Sequence, residues 1–142
     1  MAFARDGGVR HVRDLPRHPV ADGTGATRQV LVGSDEAPHF ALRRFEIAPG
    51  GGMPLHANAV EHEQLVLAGR ARVRIGDREH EVEPGSVVYV PAGVPHAYRV
   101  VGTEPFAFLC AVPNGPDTVR LLEPRSADQA ARKAPGGRTD GA

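Results

Sequence analysis

The sequence predicts a single all-β domain folded as an antiparallel sandwich or barrel, and three observations carry that expectation. Short extended segments recur at a spacing of roughly ten residues between positions 28 and 112, with turn residues between them. Glycine (17) and proline (13) are dense for a chain of 142 residues, which suits short strands and tight turns better than helices. No run with three turns of helical periodicity is visible across the same stretch.

Taken in order, residues 1–27 read as an irregular N-terminal segment. Pro16, Pro19, Gly23 and Gly25 interrupt it, and Val9 and Val12 offer at most a short edge pairing. A first strand is expected at 28–32 and a second at 39–47. In the second, Phe40 and Leu42 fall on one side and Phe45 and Ile47 on the other, so a change of side is expected near Arg43 and Arg44. Pro49, Gly50, Gly51 and Gly52 read as a turn. Further strands follow at 55–58, 62–68, 70–75, 78–82, 86–90, 96–101 and 106–112. Gly76-Asp77 supplies a tight hairpin between two of them. The domain is therefore placed at 28–113. Residues 114–142 form a C-terminal extension that is loose in part, with a short element at 119–122 and two helical turns at 126–133 capped by Ser126. No internal repeat is present, so the chain holds one barrel.

Bulk chemistry removes several function classes. Lys plus Arg equals Asp plus Glu, 17 each, and no basic block stands out, which argues against a nucleic-acid partner. No apolar run is long enough to span a bilayer, and the first residues lack the apolar core of a secretion signal. The lone Cys110 excludes an internal disulfide and suits a reducing compartment, so a cytoplasmic location is expected. In an apolar strand, Cys110 reads as an inert core residue rather than a nucleophile.

The chemistry-bearing pattern is a set of histidines at strand starts. His56 and Asn58 are two residues apart on an extended segment and so face the same way. His62 opens the next strand after a short turn, and His96 opens another after a proline-glycine turn. Four polar side chains from three strand starts can converge inside a barrel, where apolar residues are otherwise expected. Imidazoles at fixed positions suit a divalent transition metal and leave coordination positions open. His11, His18, His39 and His80 lack such company and read as ordinary surface or core groups.

Two blocks around these histidines resemble the motifs of the cupin family, G-x5-H-x-H-x3,4-E-x6-G and G-x5-P-x-G-x2-H-x3-N. The first block runs Gly50, His56, Asn58, His62, Gly69; the second runs Gly85, Pro91, Gly93, His96, with Val100 in place of the final asparagine. The resemblance covers roughly residues 28–113 and implies a cupin-type jelly-roll barrel holding one divalent metal per chain, of Fe, Mn, Ni or Zn. His62 stands where the family commonly has glutamate, as in a subfamily of single-domain cupins whose site is all histidine. Carried over, that ligand set is His56, Asn58, His62 and His96, with Asn58 where the subfamily has histidine. An amide oxygen is a weaker ligand than imidazole, so Asn58 is either a fourth ligand or a hydrogen-bonding neighbour of a bound water.

Alternation from His62 and His96 adds Gln64 and Tyr98 to the same interior face, as a candidate orienting amide and a candidate hydrogen-bond donor or proton relay. Glu61 and Glu63 point outward by the same parity. Arg43 or Arg44, if inward, is a candidate carboxylate anchor. Arg70, Arg72 and Arg74 read as a solvated face balanced by Glu79, Glu81 and Glu83. Phe40, Phe45, Phe106, Phe108, Val87 and Tyr89 are assigned to core or dimer packing. Leu65 and Leu67 need a second layer or a partner, and small cupins commonly form a homodimer.

Three neutral imidazoles leave an ion's charge in place, which favours a small anionic substrate. The resemblance implies a metal-dependent enzyme, with a dioxygenase placed first. A redox-neutral isomerase, lyase or cyclase using the metal as a Lewis acid is the alternative, and a non-catalytic small-ligand module is the third.

Overall fold

The computed structural model describes residues 2–122 and the backbone of 139–140. Among these, the strands in chain order are β1 His18–Pro19, β2 Thr24–Val32, β3 Phe40–Asn58, β4 His62–Ala68, β5 Arg70–Ile75, β6 Arg78–Val82, β7 Val87–Val90, β8 His96–Val101, β9 Phe106–Pro113, β10 Val119–Leu121 and β11 Thr139–Asp140. A single 3-10 turn, Val12–Asp14, precedes them. The helical turns expected at 126–133 lie outside the described residues. No helix among the described residues is long and apolar enough to cross a membrane.

The strand ladders are antiparallel and form one curled sheet in the order β6-β5-β8-β3-β9-β4-β7, with β2 and β10 also pairing β3. The all-β jelly-roll expected from the sequence is the fold observed. β3 is its hinge. Its first half, from Phe40 to Ile47, lies between β2 and β9, whereas Gly52 to His56 pairs with β8 and His56 to Asn58 with β10. One strand thus belongs to both walls of the barrel and carries its far end across to the second wall.

This corrects the turn expected at Pro49–Gly52 (positions 49–52): the glycines lie within β3 rather than between two strands. Gly50 takes φ +79, a conformation open to glycine at little cost. A Cβ on Gly51 would strike the Thr24 carbonyl oxygen, and one on Gly52 the Tyr98 carbonyl oxygen. The glycines are there for close approach of backbones as the strand changes walls. Replacing Gly52 with alanine is expected to destabilise the fold by about 2–3 kcal/mol, because the obstacle is backbone that a rotamer change cannot clear. A urea denaturation midpoint equal to that of the parent chain would contradict this.

Two further expectations change. The first long strand, β2, begins at Thr24 rather than 28, with a register shift between Thr24 and Ala26. In the first half of β3 the alternation is unbroken: Ala41, Arg43, Phe45 and Ile47 are buried, so no change of side occurs near Arg43. Arg43 is the inward arginine. An arginine at a period-2 core position reads as outward from sequence, which is why the pattern suggested a bulge.

The core lies between the walls. Phe45, Ile47, Val66, Phe106, Phe108 and Cys110 from one wall meet Met53, Ala71, Val73, Tyr98 and Val100 from the other. Phe45 and Phe108 stack with centroids 5.1 Å apart, and Phe108 and Tyr98 stack at 5.2 Å. Three near-parallel rings therefore bridge the walls directly beneath the histidines. At the N-terminus, Gln29 donates to the carbonyls of Val12 and Leu15, and Arg10 pairs with Glu36 at 2.8 Å, which fastens the irregular segment to the barrel.

Candidate functional site

His56 ends the wall-crossing half of β3, His62 opens β4 and His96 opens β8. His56 and His96 are direct cross-strand partners, and their ring centroids are 4.2 Å apart. His62 comes from the opposite wall, with its ring 5.6 Å from that of His96. All three line one small cavity with Gln64, Tyr98, Met53, Phe45 and Phe108. Its volume, about 10 Å³, is that of a single water-sized sphere.

Hydrogen bonds set the imidazole tautomers. His56 Nδ1 lies 2.7 Å from the Pro54 carbonyl and His96 Nδ1 lies 3.0 Å from the Val94 carbonyl. A carbonyl only accepts, so Nδ1 must carry the proton in both rings and Nε2 must carry the lone pair. The Nε2 atoms of His62 and His96 are buried with no hydrogen-bond partner among the described residues. Buried polar atoms are seldom left so, and these two lie on residues that line the same cavity.

Burial holds all three imidazoles neutral. It lowers His62 to about 2, with the nearby Arg43 charge as the next cause, and His96 to about 3, with His56 next. His56 is also lowered by burial, against the opposing pull of the Pro54 carbonyl and of Asp22 and Asp117. An unfolded chain takes up protons on these histidines from about pH 6.5 downward, whereas in the folded barrel His62 and His96 refuse them until far lower pH and His56 is shifted in the same direction. Stability conferred by the neutral rings is thus complete above pH 6.5 and is lost as the solution is acidified toward pH 3. For metal-free protein, His62 and His96 each contribute a slope of up to roughly 1.4 kcal/mol per pH unit in that window. Urea unfolding at pH 7, 5 and 4 checks this; His62→Leu should show a shallower loss, and an identical pH dependence in the two proteins would contradict it.

Beneath the histidines runs a buried polar row. Gln64 Nε2 donates to Tyr98 Oη at 2.6 Å and approaches Cys110 Sγ at 3.8 Å; Arg43 Nη2 donates to the same sulfur at 3.4 Å. Because Tyr98 Oη accepts from Gln64, its own hydrogen is left to donate elsewhere, and burial pushes the phenol well above its ordinary range. Burial also raises the Cys110 thiol, with Arg43 opposing.

The cavity gathers five of the six residues singled out from sequence. The sixth, Asn58, shares the face of His56 but does not line the cavity; its Nδ2 faces Asp117 at 3.5 Å. Among the described residues, no three His, Cys, Asp or Glu side chains have donor atoms already gathered as a cluster able to hold an ion. Sequence reasoning missed Met53, whose turn-like surroundings hid its strand, and Asp117, which approaches only through the pairing of β10 with β3. Glu61 and Glu63 are exposed, as parity implied.

The cupin domain family matches residues 43–112. The chain is 34% identical to the 1-methylthio-D-xylulose 5-phosphate methylsulfurylase of Rhodospirillum rubrum over 76% of its own length and 67% of the relative's. The structure of the polyketide cyclase RemF from Streptomyces resistomycificus is similar with a TM-score of 0.76 and 27% identity, covering 89% of this chain and 94% of that one. A cupin 2 domain-containing protein from Halorhodospira halophila is 35% identical, with a TM-score of 0.60, over 76% and 75% of the two chains.

Proposed function

The chain belongs to the cupin family, and on that premise we propose that it is a metal-dependent enzyme performing a redox-neutral isomerase, lyase or cyclase reaction on a small anionic substrate. The observation that carries the reading is the pair of buried, unpartnered Nε2 atoms of His62 and His96 beside the cavity shared with His56. The donor set fits the group the family implies: neutral imidazoles, two of them oriented by backbone carbonyls, are the ligand type and supporting contact a divalent transition ion takes. His56, His62 and His96 would hold it. When bound, such an ion supplies Lewis-acid stabilisation of a developing oxyanion or enolate.

The remaining steps fall to the chain's own groups. Tyr98, kept protonated by burial and held by Gln64, would donate a hydrogen bond or a proton at Oη to a substrate oxygen. The stacked Phe45, Phe108 and Tyr98 rings close the barrel beneath the site and exclude water from below. A cavity of about 10 Å³ admits an ion or one ligand atom, so the body of the substrate lies outside it. Arg43, buried near His62 and Tyr98, adds positive charge that suits an anion.

A redox-neutral reaction is favoured over the dioxygenase first expected because the similar structure RemF is named a cyclase. The phosphate in the name of the curated relative's substrate supports an anionic substrate class. The test is turnover by metal-loaded protein of a panel of small carbonyl and enediol anions, with and without oxygen. Equal rates in both conditions are expected; oxygen consumption linked to turnover would overturn the reading in favour of a dioxygenase. We further propose a homodimer through the outer face of β4 and β7, where Leu65 and Val87 are cross-strand neighbours and Val87 and Tyr89 are 79% and 56% exposed. Light scattering should give twice the chain mass, and the monomer mass would contradict it.

A further inference from the structure

We propose that Asp117 is a positioning residue that fixes the amide of Asn58, so that Asn58 Oδ1 serves as a hydrogen-bond acceptor for an oxygen ligand of the histidine site and not as a fourth metal ligand. The inference rests on the metal site proposed above.

Asn58 is only 3% exposed. The two ends of its amide are chemically opposite, a donor and an acceptor, and the neighbours decide which way each points. A carboxylate only accepts, so the end facing Asp117 Oδ2 at 3.5 Å is Nδ2. Oδ1 is then the end turned away from Asp117. It is buried with no hydrogen-bond partner among the described residues, the same condition as the Nε2 atoms of His62 and His96. Asn58 is two residues beyond His56 on the same face of β3, yet it is not among the residues that line the cavity. An acceptor on a residue outside the cavity lining suits the hydrogen of a water or hydroxyl held by the three imidazoles better than it suits a cation among them.

The residues around this amide are held. Asp117 Oδ1 accepts from the Ala59 backbone N–H at 3.1 Å, and the Thr118 carbonyl accepts from the same N–H at 3.1 Å. The Asn58 carbonyl accepts from the Gly93 N–H at 2.8 Å, in the turn that leads to His96. Val119 is the cross-strand partner of Asn58 and Leu121 that of His56, so the segment carrying Asp117 runs into the strand that backs both site residues. The carboxylate is therefore presented by backbone geometry and is not a freely rotating surface group.

The test uses the full-length protein loaded with cobalt(II), whose visible spectrum reports its coordination, and azide as a probe that displaces coordinated water but brings no hydrogen to Asn58 Oδ1. Removing the acceptor weakens the competing water, so azide should bind roughly two- to tenfold more tightly in Asn58→Ala and Asp117→Ala. General damage to the site would move azide affinity the other way. Asp117→Asn offers one acceptor oxygen where the carboxylate met two donors; with that oxygen on the Ala59 N–H its NH2 faces the Asn58 amide, so azide affinity should rise as in the alanine variants. Cobalt(II) affinity should remain within about threefold in all three variants, because no ligand is lost. If Asp117→Ala does not fold, Asn58→Ala and Asp117→Asn still decide the question. A tenfold or greater loss of cobalt(II) in Asn58→Ala would make Asn58 a ligand and overturn the proposal, as would azide affinity unchanged or weakened in the alanine variants. Parent protein that binds no cobalt(II), or binds it equally well as His96→Ala, would overturn the histidine site itself and this inference with it.

Discussion

Replacing His96 with alanine is expected to weaken binding of a divalent transition ion by more than roughly 100-fold. That figure is the upper end of what losing a partner that merely supports a ligand costs, and loss of the ligand itself should exceed it. His96 is chosen because its ring lies beside both others, 4.2 Å from His56 and 5.6 Å from His62. Its Nδ1 proton is committed to the Val94 carbonyl and its Nε2 is buried without a partner among the described residues, so the variant removes a lone pair that the proposed ion would use. Metal content after loading and desalting, measured by elemental analysis, should fall from one ion per chain to a small fraction. Stoichiometric metal in both His96→Ala and His56→Ala would remove the site assignment.

Phe108→Ala is expected to cost about 3–5 kcal/mol of stability, the range for deleting a large buried aromatic. Phe108 is 1% exposed and is the middle ring of the stack that joins the walls. Its loss unpacks Phe45 and Tyr98 together and leaves a void directly beneath the histidines. For a domain of ordinary stability this is a large share of the total. The urea midpoint should drop without a change in slope, and the metal affinity of the folded fraction should fall because Tyr98 and the cavity wall are no longer held. A loss below about 1 kcal/mol would show that the stack does not bear the packing assigned to it.

What could be read from the sequence follows the range over which each signal acts. The histidines stood out because strand alternation and strand starts are local: His56 with Asn58, and His62 with Gln64, are fixed relative to each other by two-residue spacing alone. Glycine permitted two readings, and local rules chose the wrong one. Gly50, Gly51 and Gly52 look like a turn, and only the backbones of Thr24 and Tyr98 pressing on them show that they allow one strand to serve two walls. Arg43 was ambiguous because charge argues outward and parity argues inward; burial beside Cys110 and Phe45 decided for parity. The role of Asp117 was out of reach, since nothing near it in sequence indicates that β10 returns beside Asn58. The aromatic stack likewise needs the registers of three strands at once.

In the proposed site, three imidazoles grip one cation between the walls of the barrel. Anomalous diffraction from crystals soaked in cobalt(II) tests it most directly. One strong peak per chain is expected, at about 2.0–2.2 Å from the Nε2 atoms of His56, His62 and His96. An absent peak, or one lying on other residues while the three imidazoles face solvent, would contradict it.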